Sequence, residues 1–349
     1  MSIPLCLEAL GDFSEVQLVT WHDLVPKVEL HVHLEGSIPL AALFNLVQKY
    51  GGDPQVPDLM ALEQRFQYRD FTQFIKTWSW KNQFLREYED FTYIGEVFAA
   101  SLAAQSIRYA EMFFSPSPFV KRGLDLQNLL EAVRIGLDRV SGTKISIIID
   151  FVRDYGQASE LKILSQLSEV KNLGIIGIGI GGSEHEFPPC LFKNLFRKAK
   201  ALGFHTTAHA GEASGAGSIH EAIHGLGAER IGHGVRACED PELVEYLAFH
   251  QIALEMCPMS NVRTGIVPGL AEHPISRYFQ AGIPVTVNTD DPAMFQTSLA
   301  QEYQLLEQHC GWSRDAIRQI IVNGIENSWL SSERKKSLKS EFIADPAWI

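Results

Sequence analysis

Eight short runs of apolar and β-branched residues, separated by amphipathic stretches, constrain this chain more than any other feature. The runs cover 28–33, 108–115, 144–152, 175–182, 205–212, 230–234, 252–258 and 285–292. Strands that are buried on both faces read as near-continuous apolar runs, and parallel strands need helical crossovers between them. Eight strand–helix units give the arithmetic of a (β/α)8 TIM barrel, and a single domain spanning 1–349. An open doubly wound sheet would place a glycine-rich phosphate turn after its first strand. Here the first run ends His33-Leu34-Glu35-Gly36. Residues 53–95 are rich in aromatics and charges and fall between the first two strands. Phe71, Phe74, Ile75 and Trp78 recur at helical spacing there. That predicts additional helices inserted after strand 1, either packed into the core or acting as a lid.

The chemistry lies where these runs end. The first ends His31-Val32-His33, the fifth His209-Ala210-Gly211-Glu212, the sixth His233-Gly234 and the eighth Asp290-Asp291. In a barrel the C-terminal ends of all strands meet at one face. Seven ionisable groups distant in sequence therefore converge. His31 and His33 are two apart, so both side chains point to one side of their strand, into the lumen. With His209 and Asp290 they form a His3Asp donor set of the kind that binds zinc, with a position left open for water. Such an ion lowers the pKa of that water toward neutrality. Glu212, three residues past His209, is free to shuttle a proton. Asp291, beside a ligand, can hydrogen-bond the water-derived hydroxide and orient it, and His233 can hold or deprotonate that same water.

Other readings are weaker. His220-Glu221-Ala222-Ile223-His224 fits the zinc-protease pattern, but its third ligand position is Arg230, and it falls where an outer helix is expected. Pro189-Cys190 lacks the Cys-x-x-Cys continuation of the cytidine-deaminase class. A phosphoester hydrolase would place more Lys and Arg at strand ends than Arg153, Arg236 and Arg263. A net charge of −12, with no basic cluster longer than Arg334-Lys335-Lys336, predicts no nucleic-acid partner. Five scattered cysteines, an acidic start (Glu8, Asp12, Glu15) and no long apolar run predict a cytoplasmic protein without leader or membrane span.

Five motifs together resemble the adenosine deaminase family of the amidohydrolase superfamily. They are Pro26-Lys27-Val28-Glu29-Leu30-His31-Val32-His33-Leu34-Glu35-Gly36, His209-Ala210-Gly211-Glu212, Arg230-Ile231-Gly232-His233-Gly234, Cys257-Pro258-Met259-Ser260-Asn261 and Asn288-Thr289-Asp290-Asp291-Pro292, in the family's order. The resemblance implies one zinc held by His31, His33, His209 and Asp290. It also implies that Glu212 protonates purine N1 while His233 and Asp291 orient the water that attacks C6. Gly182 would donate its N–H to ring N3, and His33 and Glu35 would meet the substrate. The implied reaction is deamination of a 6-aminopurine nucleoside, either adenosine or a 5′-modified adenosine such as 6-aminodeoxyfutalosine. Two departures bear on the substrate. Glu35 replaces the usual Asp of adenosine deaminases, as in adenine deaminases, which act on the free base. Gly179 stands where both groups usually carry Asp. Free adenine is therefore the alternative substrate.

Overall fold

The structure is a computed structural model that describes residues 19–349. The acidic start read above lies outside the described residues. Eight strands run parallel in chain order. They are β1 (Lys27–His33), β2 (Ile107–Phe114), β3 (Lys144–Val152), β4 (Ile175–Gly181), β5 (His205–Ala210), β6 (Arg230–His233), β7 (Ala253–Met256) and β8 (Val285–Val287). Each apolar run read from the sequence is one of them, and helices connect them around the outside, as a (β/α)8 barrel requires. All seven positions of β1 are buried, as expected for a strand covered on both faces.

The runs overshoot the strands where the site begins. β5 stops at Ala210 and β8 at Val287. Beyond them the backbone turns away from extended geometry, with Asp290 at φ +63°. Because β8 is so short, a side chain helps to close the barrel. Asn288 Oδ1 accepts the N–H groups of Leu30 (2.9 Å) and His31 (3.1 Å). Past it, His33 N donates to Asp290 O (2.8 Å) and Asp290 N to His31 O (3.1 Å). This β8–β1 seam carries three of the four expected metal ligands.

The insert after β1 is helical, as predicted. Asp58 caps Leu59–Arg65 and Asp70 caps Phe71–Lys81, each accepting the N–H three residues on. A third helix, Tyr88–Ala104, outruns the expected end at residue 95 because it packs along the helix Leu126–Asp138. Buried Lys81 pins the insert to the loop after β1, its Nζ donating to Glu35 O (2.6 Å) and Asn82 Oδ1 (3.0 Å). Phe74 stacks on Phe295, ring centroids 5.0 Å apart, so the aromatic stripe meets the loop after β8. Among the described residues no helix is long and apolar enough to cross a membrane.

The helices Tyr88–Ala104 and Leu126–Asp138 cross backbone to backbone. A Cβ at Gly136 would lie 2.2 Å from Thr92 O, and one at Gly95 would lie 2.9 Å from Val133 O. Gly136→Ala must separate the pair. It is expected to lower stability by about 1–3 kcal/mol, the usual cost of overpacking. Thermal denaturation checks this, and an unchanged Tm would show that the helices part freely.

Candidate active site

At the C-terminal face of the barrel, His31, His33, His209 and Asp290 each present a donor atom, and all four atoms lie within 4.8 Å of one another. His31 Nε2 is 3.1 Å from His209 Nε2 and 3.5 Å from Asp290 Oδ1, and His33 Nε2 is 3.2 Å from the same oxygen. Ligand bonds of about 2.0–2.2 Å to one ion would span separations of this order. The surroundings aim the donors. His31 Nδ1 meets Glu255 Oε2 at 2.9 Å, which turns Nε2 toward the centre. His209 Nδ1 meets Ile180 O at 3.2 Å, with the same result. Ser260 Oγ donates to Asp290 Oδ2 (2.6 Å), leaving Oδ1 to the imidazoles.

Charge also favours a cation here. Burial opposes charge on His33, yet its hydrogen bond to Asp290 and the carboxylates of Asp291, Asp290 and Asp150 raise it to about 10. Burial and the neighbouring imidazoles His31, His233 and His33 hold His209 well below its ordinary value, in the neutral form that ligates metals. The donor set, its spacing and the neighbouring carboxylates of Asp291 and Asp150 all fit a divalent ion.

The remaining expected residues surround this cluster. Glu212 is buried at the turn leaving β5. Burial, then the carboxylates of Asp290 and Glu184, push its carboxyl well above the ordinary range, which favours its protonated form. Glu184 holds that turn in place. Its carboxylate accepts the N–H groups of Gly211 (2.7 Å), Glu212 (3.2 Å), Ala213 (2.7 Å) and Ser214 (2.9 Å). His233 Nε2 lies 3.6 Å from Glu212 Oε2 and 3.9 Å from Asp290 Oδ2 with no hydrogen-bond partner. Asp291 sits against Gly36, where a Cβ would fall 1.6 Å from its Oδ1. Burial, then Asp290, raises Asp291 to about 7. Both His233 (φ +61°) and Asp290 (φ +63°) hold left-handed backbone, strain of the kind that clusters at functional sites.

One cavity opens onto these groups. Its walls include His33, His209, Glu212, His233, Asp290, Asp291 and Gly182. The stripe Phe71, Phe74, Ile75 and Trp78 forms its apolar side, and Ser79, Ser115, Asp150 and Asp154 lie on its polar side. Glu35, expected to meet the substrate, is not brought to it. That side chain is fully buried behind the wall, and its Oε1 accepts the N–H of Ser115 (2.9 Å). The protease-like segment is elsewhere. His220 ends the helix Ala216–His220 and bonds Asp240 (2.9 Å), while His224 lies in the π-helical turn Glu221–Leu226. Neither belongs to a group of potential metal donors among the described residues.

Sequence reasoning missed the supporting groups. Glu255, behind His31, accepts from Arg230 Nε (2.5 Å), and Arg230 also pairs with Glu111 (2.6 Å) and lies over Trp329. A lone carboxylate inside the apolar strand β7 is the signal that could have found it. Asp150 ends β3 with Oδ2 on Ser115 Oγ (3.2 Å) and Oδ1 unpartnered. Its oxygens fill the space beside Gly179 and Gly181, about 3 Å from where Cβ atoms there would stand (3.1 and 3.0 Å).

Residues 26–345 match the adenosine deaminase family as a whole. The chain belongs to the adenosine deaminase family. An adenosine deaminase of Edwardsiella ictaluri is 37% identical over 322 residues, 90% of this chain and 96% of that protein. An aminodeoxyfutalosine deaminase of Streptomyces coelicolor is 35% identical over 332 residues, 93% of this chain and 86% of that protein. Among solved structures, an adenine deaminase of Arthrobacter aurescens superposes with a TM-score of 0.87 at 31% identity, covering 91% of this chain and 98% of that one. An amidohydrolase of Burkholderia ambifaria, solved with bound zinc, gives 0.86 at 25% identity, covering 95% and 94%. Family membership makes this chain a hydrolytic deaminase of the amidohydrolase superfamily, with a candidate metal site in its barrel. The family's names divide between nucleosides and the free base, so family alone leaves the substrate open.

Glu255→Gln keeps size but weakens acceptance from His31. It is expected to lower metal affinity by about 10–100-fold, as removal of such supporting groups does. Competition with a chelator of known affinity measures this. Unchanged affinity would show that Glu255 does not orient His31.

Proposed function

We propose that this deaminase uses one zinc ion, held by His31, His33, His209 and Asp290, to hydrolyse an uncharged 6-aminopurine nucleoside to the 6-oxo product and ammonia. The observation that carries the nucleoside reading is the cavity wall. It combines apolar and carboxylate side chains, and no Lys or Arg lines it among the described residues. Arg153, the nearest candidate from the sequence, is buried and donates to Phe187 O (2.7 Å) and His209 O (2.6 Å). Buried Lys81 is committed to Glu35 O and Asn82. A 5′-phosphate would enter this space uncompensated. Ribose hydroxyls would instead find the unpartnered acceptor of Asp150, and an apolar 5′ tail would find the Phe71–Trp78 stripe. That suits adenosine or a 5′-modified adenosine such as 6-aminodeoxyfutalosine, with the insert as a lid over the tail. The chain is read as acting on this small molecule alone, in the cytoplasm, with no nucleic-acid or membrane partner.

When bound, the zinc supplies the acidity that makes water nucleophilic at neutral pH. The chain's own groups do the rest. Protonated Glu212 donates to ring N1, which makes C6 electrophilic. His233 Nε2 and Asp291 face the side from which the water oxygen joins C6, and Gly182 meets the ring edge at N3. Ammonia leaves and the 6-oxo purine remains. Free adenine is the second reading, favoured by the likeness to the Arthrobacter enzyme.

A spectrophotometric panel of adenosine, 2′-deoxyadenosine, methylthioadenosine, 6-aminodeoxyfutalosine, AMP and adenine decides the substrate. The best nucleoside is expected to exceed adenine by about 10²-fold or more in kcat/KM, because a site that bonds a hydroxyl rejects substrates lacking it. Comparable turnover of adenine would establish the second reading, and preference for AMP would overturn the wall argument. Activity surviving complete chelation would overturn the zinc assignment.

Glu212→Gln is expected to retain metal and lose about 10²–10⁴-fold in kcat, the usual contribution of general acid–base catalysis. The acid must be protonated to act, so the wild-type rate falls as pH rises through the elevated Glu212 pKa. The variant lacks that alkaline limb. Loss of metal in the variant would make Glu212 a ligand.

A further inference from the structure

One chain of hydrogen bonds leads out from the site to a group whose polarity is fixed. The backbone N–H of Ile275 can only donate, and it donates to His273 Nδ1 (3.2 Å). His273 is buried, and burial lowers its pKa to about 4, so it is neutral at pH 7. With Nδ1 accepting, its proton must sit on Nε2. That nitrogen lies 3.2 Å from Asn261 Oδ1, so Asn261 receives through its oxygen. The amide nitrogen of Asn261 then faces His233 Nδ1 at 3.1 Å and can only donate. His233 Nδ1 is thereby an acceptor.

We infer that Asn261 and His273 are positioning residues that lock His233 in the tautomer with its proton on Nε2, aimed into the active site. His233 Nε2 is the one ring nitrogen of this relay without a partner in the chain. In this tautomer His233 holds the attacking oxygen by donating to it and cannot take its proton. The water's proton must then go to a carboxylate. Asp291 borders the same cavity with an unpartnered Oδ1. The sequence left His233 with two roles, holding or deprotonating the water, and the relay selects the first. The relay's geometry is read without reference to substrate, and only its kinetic consequence rests on the deaminase reading.

The test reads the tautomer directly. Long-range ¹H–¹⁵N correlation spectra are recorded on metal-loaded protein labelled in its histidine rings, and His233 is assigned by its absence in His233→Gln. The wild type is expected to carry the proton on Nε2. Asn261→Asp is nearly isosteric but can only accept, so it is expected to move the proton to Nδ1. It should also lower kcat by about 10²–10⁴-fold, with KM changed no more than a few-fold. His273→Leu leaves the Asn261 amide free to turn and should give a mixture of both tautomers. His273→Gln keeps a donor and should restore Nε2–H. A wild-type spectrum with the proton on Nδ1, or a folded Asn261→Asp whose tautomer is unchanged, overturns the inference. If Asn261→Asp does not fold, the wild-type and His273 variant spectra decide. An inactive wild type with the expected tautomer would count against the deaminase reading alone.

Discussion

The seam between β8 and β1 is the constraint on which the site depends. β8 has only three residues, too few to pair along the full length of β1. Asn288 supplies the missing acceptor with its side chain, and the backbone of Asp290 then bonds both His31 and His33. The bonds that close the barrel therefore fix the spacing of three metal donors. A barrel that opened here would lose the metal site before it lost most of its core.

Around that seam the site sets several negative charges close together in a buried space. The carboxylates of Asp290, Asp291, Asp150, Glu212 and Glu184 lie within one region of the barrel mouth, and burial alone would protonate most of them. The chain responds differently at each. Asp290 stays ionised because His31 and His33 bond it, although burial opposes this. Glu184 satisfies four backbone N–H groups. Glu212 has no such partner, and burial raises its carboxyl well above the ordinary range. The division between Asp290, Glu184 and Glu212 follows from which hydrogen-bond donors each carboxyl finds, because the residue types alone are equivalent.

Farther out, the same residues link architecture to chemistry. Arg230 joins Glu111 on β2 to Glu255 on β7, and Glu255 orients His31. Lys81 ties the inserted helices to the loop that carries Glu35. The aromatic stripe read from its helical spacing packs on Phe295 and lines the cavity at once. Core packing and cavity lining fall on the same residues of one helix, so spacing alone could not separate them.

Much of this was legible beforehand because periodicity and strand ends are local properties of a chain. Eight apolar runs give eight parallel strands, and polar residues at their C-terminal ends must converge once the barrel closes. His31, His33, His209 and Asp290 could thus be named as a donor set from the sequence. Glu35 was misjudged because its neighbours in sequence point toward the lumen, whereas the short helical turn Glu35–Ser37 swings it behind the wall onto Ser115. Glu255, Asp150 and His273 escaped notice, and Asn261 was seen only as part of a motif, because each acts through partners on other segments of the fold. The sequence by itself determined the barrel and which polar residues converge at its mouth. Only the tertiary structure decided which carboxyls keep their protons, which side chains face the cavity and which nitrogen of His233 carries hydrogen. Those properties depend on burial and on hydrogen bonds between distant segments, and such partners exist only once the chain is folded.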